Sequence, residues 1–387
     1  QQLQEHFGNR SAPWRLAAMA LEQESKRQRV ESASEGPVLL DFRFLVPGGS
    51  ATPKQVEAVY IGDEGSLAHV AAVRFFKHLP ATRLSGVGSF SAAFKAVASG
   101  KALYGVVPIE NSASGTLHST YDLMLQHDVV IGGELGVREV YCLCAKPGVS
   151  LHDVTRVLSH PNILEACTTF LSTRLPSGRP GPPEPSLETV PTISTTEAAK
   201  RVNNEAASAG ISAAIATKEA AQRHSLSIIA EDIGNDAFLE TRYILFHLRS
   251  GEAATLPTPF PRDALSPLRK RSACFALRNE PQAVYKLLSC FALRNIDVLK
   301  VETRPMAAGL RSPPGLPAGT ARLWDYLFYV EFAVPPGQTK AIDNRLWENL
   351  SEFSLWQRDF GSYPSQLTVI EKQPQTWSDM VDMMAKS

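Results

Sequence analysis

The feature that most constrains this chain is an alternation beginning at Val56. Val56-Glu57-Ala58-Val59-Tyr60-Ile61 has the composition of a buried strand. It runs into the turn Gly62-Asp63-Glu64-Gly65 and then into a helical stretch from Ser66 to about His78. The same grammar continues: helix at Phe90–Ser99, strand at Tyr104–Ile109, helix at Leu117–His127, then strands at Glu139–Ala145 and Arg156–Ser159. A helix from about Asn162 to Leu175 follows, with a Pro/Gly-rich insertion loop over 176–186. Next come a helix at Thr196–Ala207, a short strand at Ala213–Ala216, a helix at Lys218–His224 and a strand at Tyr243–Leu248. Alternating units of this kind predict an α/β fold with largely parallel strands.

Residues 250–267, rich in Gly, Ala, Thr, Pro and Ser, read as a linker. Beyond it the order changes: strand Ser272–Leu277, helix Gln282–Leu293, strand Asp297–Thr303, a Pro/Gly loop over 306–320, strand Asp325–Phe332, helix Lys340–Glu352. With a closing strand near Gln366 to Ile370, this is the order of a ferredoxin-like βαββαβ sandwich. The predicted organisation is an extension over 1–54, a module over 55–249, a linker over 250–269, a second domain over 270–372 and a tail over 373–387. A chain of 387 residues, 44% hydrophobic, can supply more than one core, since one core rarely grows past about 250–300 residues.

Charge narrows the partners. Lys+Arg and Asp+Glu both total 39, so neither nucleic acid nor an anionic membrane is an expected partner, and an anionic small molecule must be held by local donors. No apolar run approaches the ~20 residues that span a bilayer. Cys142, Cys144, Cys167, Cys274 and Cys290 include no C-x-x-C pair and no zinc-like spacing, so reduced core thiols and no metal are expected. The run Trp14 to Arg29 carries Glu22 and Glu24, which fits a surface helix or a disordered leader better than a transit peptide.

Four loops carry candidate chemistry. Gly62-Asp63-Glu64-Gly65-Ser66 places free N–H groups at a helix start, where they could hold an anion or simply form a turn capped by Ser66; the two acids disfavour the anion. Pro108-Ile109-Glu110-Asn111-Ser112-Ala113-Ser114-Gly115-Thr116 follows a strand with amide and hydroxyl groups able to fix a polar molecule. Ser159-His160-Pro161 offers Ser159 as a donor to a carboxylate, and His160 as an acid–base group or, more commonly, a structural partner. Thr241-Arg242-Tyr243 offers a hydroxyl and a guanidinium fork for a carboxylate, although the pair alone is a weak signal. Neither a dinucleotide fingerprint nor a P-loop is present.

Together and in this order, these segments resemble the prephenate dehydratase and arogenate dehydratase family, over roughly residues 56–372. Further anchors are Tyr121-Asp122-Leu123, Gly133-Glu134, Lys146-Pro147-Gly148, Phe275-Ala276-Leu277-Arg278-Asn279-Glu280-Pro281, Glu302-Thr303-Arg304-Pro305 and Gly361-Ser362-Tyr363-Pro364. Asp325-Tyr326-Leu327-Phe328-Tyr329-Val330-Glu331-Phe332 looks most like plant-type members. The resemblance implies a two-lobed, type II periplasmic-binding-protein-like catalytic domain followed by an ACT regulatory domain. It implies loss of a ring hydroxyl and a carboxylate as water and CO₂, with no cofactor. Thr241 becomes the group facing the leaving hydroxyl, and Arg242, Asn111, Ser112, Ser159 and Ser66 the substrate contacts. Gln282, Ala283, Val284, Glu302, Thr303 and Arg304 become the site of an allosteric phenylalanine. A homodimer or homotetramer is implied, and a plastid location, with cytoplasm as the alternative.

The chain departs from the family pattern at Ala68 (serine), Ala166 (glutamine), Leu239 (asparagine) and Gln282 (the sensing glycine). A side chain at 282 could block the phenylalanine site. The alternative reading is a relative of weakened activity that acts by binding a ligand or by regulation. A plain solute-binding protein is disfavoured by the second domain.

Overall fold

The computed structural model describes residues 57–366, apart from 80, 175–186, 206–210, 237, 251–268, 307–314, 317–324 and 335–339. The expected leader, insertion loop and tail lie outside the described residues, as do residues 251–268 of the expected linker, whose last residue, Arg269, already begins a strand.

The first lobe is built on β1 (Glu57–Ile61), β2 (Arg83–Val87), β3 (Tyr104–Asn111), β5 (Val129–Arg138) and β11 (Glu240–Leu248), with the short β4 (Gly115–Thr116) paired to β3. Their order is β5-β11-β3-β1-β2, and β11 runs antiparallel to both neighbours. The second lobe orders β6 (Cys142–Ala145), β7 (Arg156–Ser159), β8 (Glu188–Pro191), β9 (Ser212–Ala216) and β10 (Ser227–Ala230) as β10-β6-β9-β7-β8. Here too the end reached by a crossing is antiparallel: β6 opposes both β9 and β10. The expectation of largely parallel strands is therefore corrected to two mixed sheets. The chain crosses between lobes twice, after β5 and before β11, so the returning strand enters the first sheet in the opposite sense.

Most expected elements appear within a few residues. The run Glu139–Ala145 is a correction: the strand is only Cys142–Ala145, and the longer β5 precedes it. The helix expected from Asn162 is two helices, Pro161–Ala166 and Thr168–Arg174, separated at Cys167. In β9 alternate residues serve different cores: Ala213 and Ile215 face one, Ala214 and Ala216 the other. Such burial on both faces explains why it reads as a continuous apolar run. Gly105 has a steric reason: a Cβ there would lie 2.3 Å from the Phe246 ring, which stacks on Phe94 with centroids 4.2 Å apart. All five cysteines are free and buried.

The C-terminal unit is the expected ferredoxin-like sandwich. β12 (Arg269–Leu277), β13 (Val298–Pro305), β14 (Tyr326–Val334) and β15 (Ser354–Gln366) form an antiparallel sheet ordered β13-β14-β12-β15, with helices Ala283–Ala292 and Lys340–Phe353 on one face. The closing strand starts at Ser354, twelve residues before its expected place, because it follows its helix without a loop. Its last residues, Ser365 and Gln366, pair with Glu134 and Leu135 of β5, so this sheet continues into the first lobe's. One core runs across the join, with Met124, Ile131 and Ile244 sharing contacts with Cys274, Leu327, Tyr329 and Phe360.

Candidate active site

Thr241 lies where the chain passes between lobes. It is the second residue of β11, in register with Asn111 at the end of β3, so the two side chains share one face. Asn111 Nδ2 donates to Thr241 Oγ1 at 2.8 Å and to Glu139 Oε1 at 2.9 Å. Thr241 Oγ1 in turn donates to Glu139 Oε1. The Tyr141 hydroxyl donates to Glu139 Oε2. Asn111 Oδ1 accepts from the N–H groups of Ala113 and Ser114, which ties the following loop to the same cluster. Burial, followed by the Glu139 carboxylate, pushes the Tyr141 phenol well up, so it stays a proton donor.

Glu139 and Tyr141 carried no motif. The available signal was an isolated acid in an apolar segment, Val137-Arg138-Glu139-Val140-Tyr141, since a buried acid requires partners. The same signal marks Glu134 in β5 and Glu331 in β14.

Arg242 lies on the other face of the strand. Successive strand residues point to opposite faces, so Arg242 turns away from the Thr241 cluster toward the C-terminal unit. Its guanidinium makes a fork to Glu331, Nη1 to Oε2 at 2.9 Å and Nη2 to Oε1 at 2.7 Å. Glu110 lies 3.2 Å from its Nε, and Glu134 3.7 Å from Nη1. Burial would lower its pKa, but the Glu331 and Glu134 carboxylates outweigh that and raise it.

Ser159 has a structural partner. It is fully buried, and its hydroxyl donates to the Ile215 carbonyl at 2.9 Å, which holds β7 to β9. His160 caps the next helix through Nδ1, which accepts the Asn162 N–H at 3.3 Å. Ser66 caps its helix by accepting the His69 N–H at 3.3 Å, and the Gly65 N–H is taken by His69 Nδ1 at 3.2 Å. Burial lowers the His69 pKa, in keeping with a neutral ring that accepts at Nδ1. The turn-and-cap alternative thus describes this segment. Gly65 also has φ +93°, and a Cβ there would sit 3.0 Å from Ala220 Cα, where the lobes touch. Thr217 Oγ1 donates to the Gly65 carbonyl at 2.7 Å, and Arg223 pairs with Glu64 at 2.6 Å across the same contact. Ser112 is exposed; its Oγ accepts the Glu240 N–H at 2.9 Å beside Thr241. A cavity of about 350 Å³ lies between the lobes, lined by Arg74, Val137, Arg138, Thr217 and Lys218, and does not include Thr241.

The expected allosteric residues fall into two groups. Gln282 has φ 63° and ψ 21°, the left-handed region where glycine belongs, and its side chain makes no capping bond. Gln282→Gly is expected to raise the unfolding free energy by about 1 kcal/mol, read from the urea midpoint; an unchanged midpoint would contradict the strain. Ala283 is half-buried and Val284 exposed. Of the second group, Thr303 is exposed, whereas Glu302 and Arg304 face the first lobe. Glu302 accepts from Thr116 Oγ1 at 2.6 Å and pairs with His118 at 3.3 Å. Arg304 forks onto Asp122, with Nη2 to Oδ2 at 2.8 Å. Burial alone would raise the Glu302 pKa, but the Thr116 and His118 hydrogen bonds hold it below the usual range. A depressed carboxyl contributes stability above its unfolded pKa and loses it as pH falls through the folded one. Glu302→Gln should therefore flatten the decline of Tm between about pH 5 and 3; an unchanged slope would remove this residue from the acid response.

Comparison with known proteins gives a consistent family. A family model for prephenate dehydratase matches residues 58–250. The chain is 33% identical over 316 residues to arogenate dehydratase/prephenate dehydratase 2, chloroplastic, of Arabidopsis thaliana, covering 82% of this chain and 74% of that protein. It is 30% identical over 323 residues to the bifunctional chorismate mutase/prephenate dehydratase of Stutzerimonas stutzeri, covering 84% and 77%. The solved structure of prephenate dehydratase from Arthrobacter aurescens in complex with L-Phe matches with a TM-score of 0.62 at 23% identity, covering 86% of this chain and 98% of that one, which shows a shared fold. The chain belongs to the prephenate dehydratase family, which includes the arogenate dehydratases.

Proposed function

We propose that this protein is a hydro-lyase that converts prephenate to phenylpyruvate, or arogenate to phenylalanine, in phenylalanine biosynthesis. The observation that carries the reading is the Thr241 hydroxyl, held by Asn111 and Glu139 at the crossing between lobes. Aromatisation drives the loss of the ring carboxylate, so the protein's task is to position the substrate and stabilise the departing hydroxyl. Thr241 is the group placed to do so, with Asn111 and Ser112 at the rim. Chromatography of the products from prephenate and from arogenate tests the proposal and separates the two substrates; turnover of neither would sink it.

A second reading is a family member of weakened activity. It is favoured by the ion-paired Arg242, the buried Ser159 and the burial of Leu239 in the second lobe's core, which together remove expected polar contacts. Here the cleft binds a carboxylated ligand without turning it over.

The ferredoxin-like unit is read as an ACT domain that responds to phenylalanine, the ligand named for the Arthrobacter structure. Val284, Tyr285, Leu293, Leu299 and Val301 are exposed, and β13 is an edge strand, a surface suited to pairing with a second copy in a dimer or tetramer. The chloroplast in the Arabidopsis relative's name supports a plastid location. No helix among the described residues is long and apolar enough to cross a membrane.

A further inference from the structure

We infer that the cavity between the lobes takes the zwitterionic end of an α-amino acid, with Arg74 on its carboxylate and Glu219 on its ammonium. This rests on the dehydratase reading of the cleft, and it makes arogenate the preferred substrate.

The cavity, of about 350 Å³, is lined by three cations, Arg74, Arg138 and Lys218, and three acids, Glu219, Glu231 and Asp232. Two pairs are already matched. Arg138 Nη2 meets Asp232 Oδ2 at 2.8 Å, and Lys218 Nζ meets Glu231 Oε2 at 2.7 Å. Arg74 and Glu219 are left over. Among the described residues, Arg74 makes no ion pair and donates from Nη1 to the Gly136 carbonyl at 3.3 Å. A guanidinium has five N–H groups, so most of its donors remain for a ligand. Glu219 has no hydrogen-bond or ion-pair partner among the described residues. One unmatched cation and one unmatched anion in the same cavity suit a ligand that carries one charge of each sign.

The walls suit the rest of such a ligand. Leu67, Val70 and Arg74 are three and four residues apart on the helix Leu67–Phe75, so they share one face. Val137 and Val140 add apolar surface beside them, enough for one side of a carbocyclic ring. Val137 also ties the cavity to the chemistry. It is in register with Thr241 on the neighbouring strand, so the two side chains lie on one face with Cβ atoms about 4.5–5.5 Å apart. In arogenate the leaving hydroxyl and the amino-acid side chain sit at opposite ends of the ring. With the hydroxyl at Thr241, the ring lies along Val137 and its far end reaches the charged part of the cavity. Prephenate carries a keto oxygen where arogenate carries an ammonium, so Glu219 repels the one and attracts the other.

Wild-type protein is therefore expected to show a higher kcat/KM for arogenate than for prephenate. Glu219→Gln should shift that ratio about 10- to 100-fold toward prephenate, the worth of a hydrogen bond to a charged group. Arg74→Gln should lower kcat/KM for both, since both substrates carry the side-chain carboxylate. Arg74 and Glu219 are exposed, so neither variant disturbs a core. A wild type that prefers prephenate, or an unchanged ratio in Glu219→Gln, would overturn the assignment and leave the Thr241 reading intact. Should the wild type turn over neither substrate, the dehydratase reading fails and binding decides the cavity. Phenylalanine and phenylpyruvate carry the same two end groups, and calorimetric titration of the full chain compares them. Loss of a phenylalanine site in both variants supports the cavity; identical isotherms in the wild type and both variants contradict it.

Discussion

Glu331→Ala is expected to destabilise the folded protein by about 3 kcal/mol, the lower end of the range for breaking a buried ion pair. Glu331 is buried, accepts the Arg242 fork, lies 3.6 Å from Lys270 Nζ and accepts from the Tyr121 hydroxyl at 3.2 Å. Removing it leaves Arg242 and Lys270 facing Glu134 and Glu110 only. The cluster is balanced as it stands: Arg242, Lys270 and Lys300 against Glu331, Glu134 and Glu110. Losing one carboxylate leaves an uncompensated buried cation, which costs more than the lost contact itself. Urea unfolding reads the change as a lower midpoint at similar slope; a shift equivalent to less than about 1 kcal/mol would mean the pair is replaced by water. The same contact joins Arg242, the neighbour of Thr241, to the C-terminal unit.

The second large effect is expected at Thr241. Thr241→Val removes the hydroxyl while keeping the shape, and kcat should fall by about 10²–10⁴-fold, the usual worth of a positioned acid or base. Because Asn111 and Glu139 would lose a shared partner in a site only 5% exposed, some stability should go with it. The loss in kcat must exceed what partial unfolding explains, which a melting curve on the same sample establishes.

The fold was largely legible in the sequence because its signals are periodic and local. The alternating units from Val56 and the βαββαβ order after the linker both follow from runs of apolar residues between glycine and proline turns. Strand direction was not legible, since nothing local records that β11 returns from another lobe. β5 was missed because Gly132, Gly133 and Gly136 interrupt its apolar pattern. β15 was displaced because it begins with no turn signal at Ser354.

At the site, motif residues were found and their directions were not. Thr241 and Arg242 are adjacent in sequence, yet the strand sends one to the Asn111 cluster and the other to Glu331. The two-residue period alone argues for that division. Glu302 and Arg304, two apart, share a face for the same reason and bind the first lobe. Glu139 meets Thr241, Glu331 meets Arg242 and Glu134 meets Ser365 over sequence separations of 89 to 231 residues, and only the folded chain identifies these partners.

Comparing Thr241→Ser with Thr241→Val in single turnover on the preferred substrate tests whether the Thr241 hydroxyl assists the departing oxygen. Serine keeps a hydroxyl between Asn111 and Glu139; valine keeps the volume and loses it. Serine is expected to retain turnover within about tenfold of wild type while valine falls at least ~100-fold. Equal rates for the two variants would contradict it.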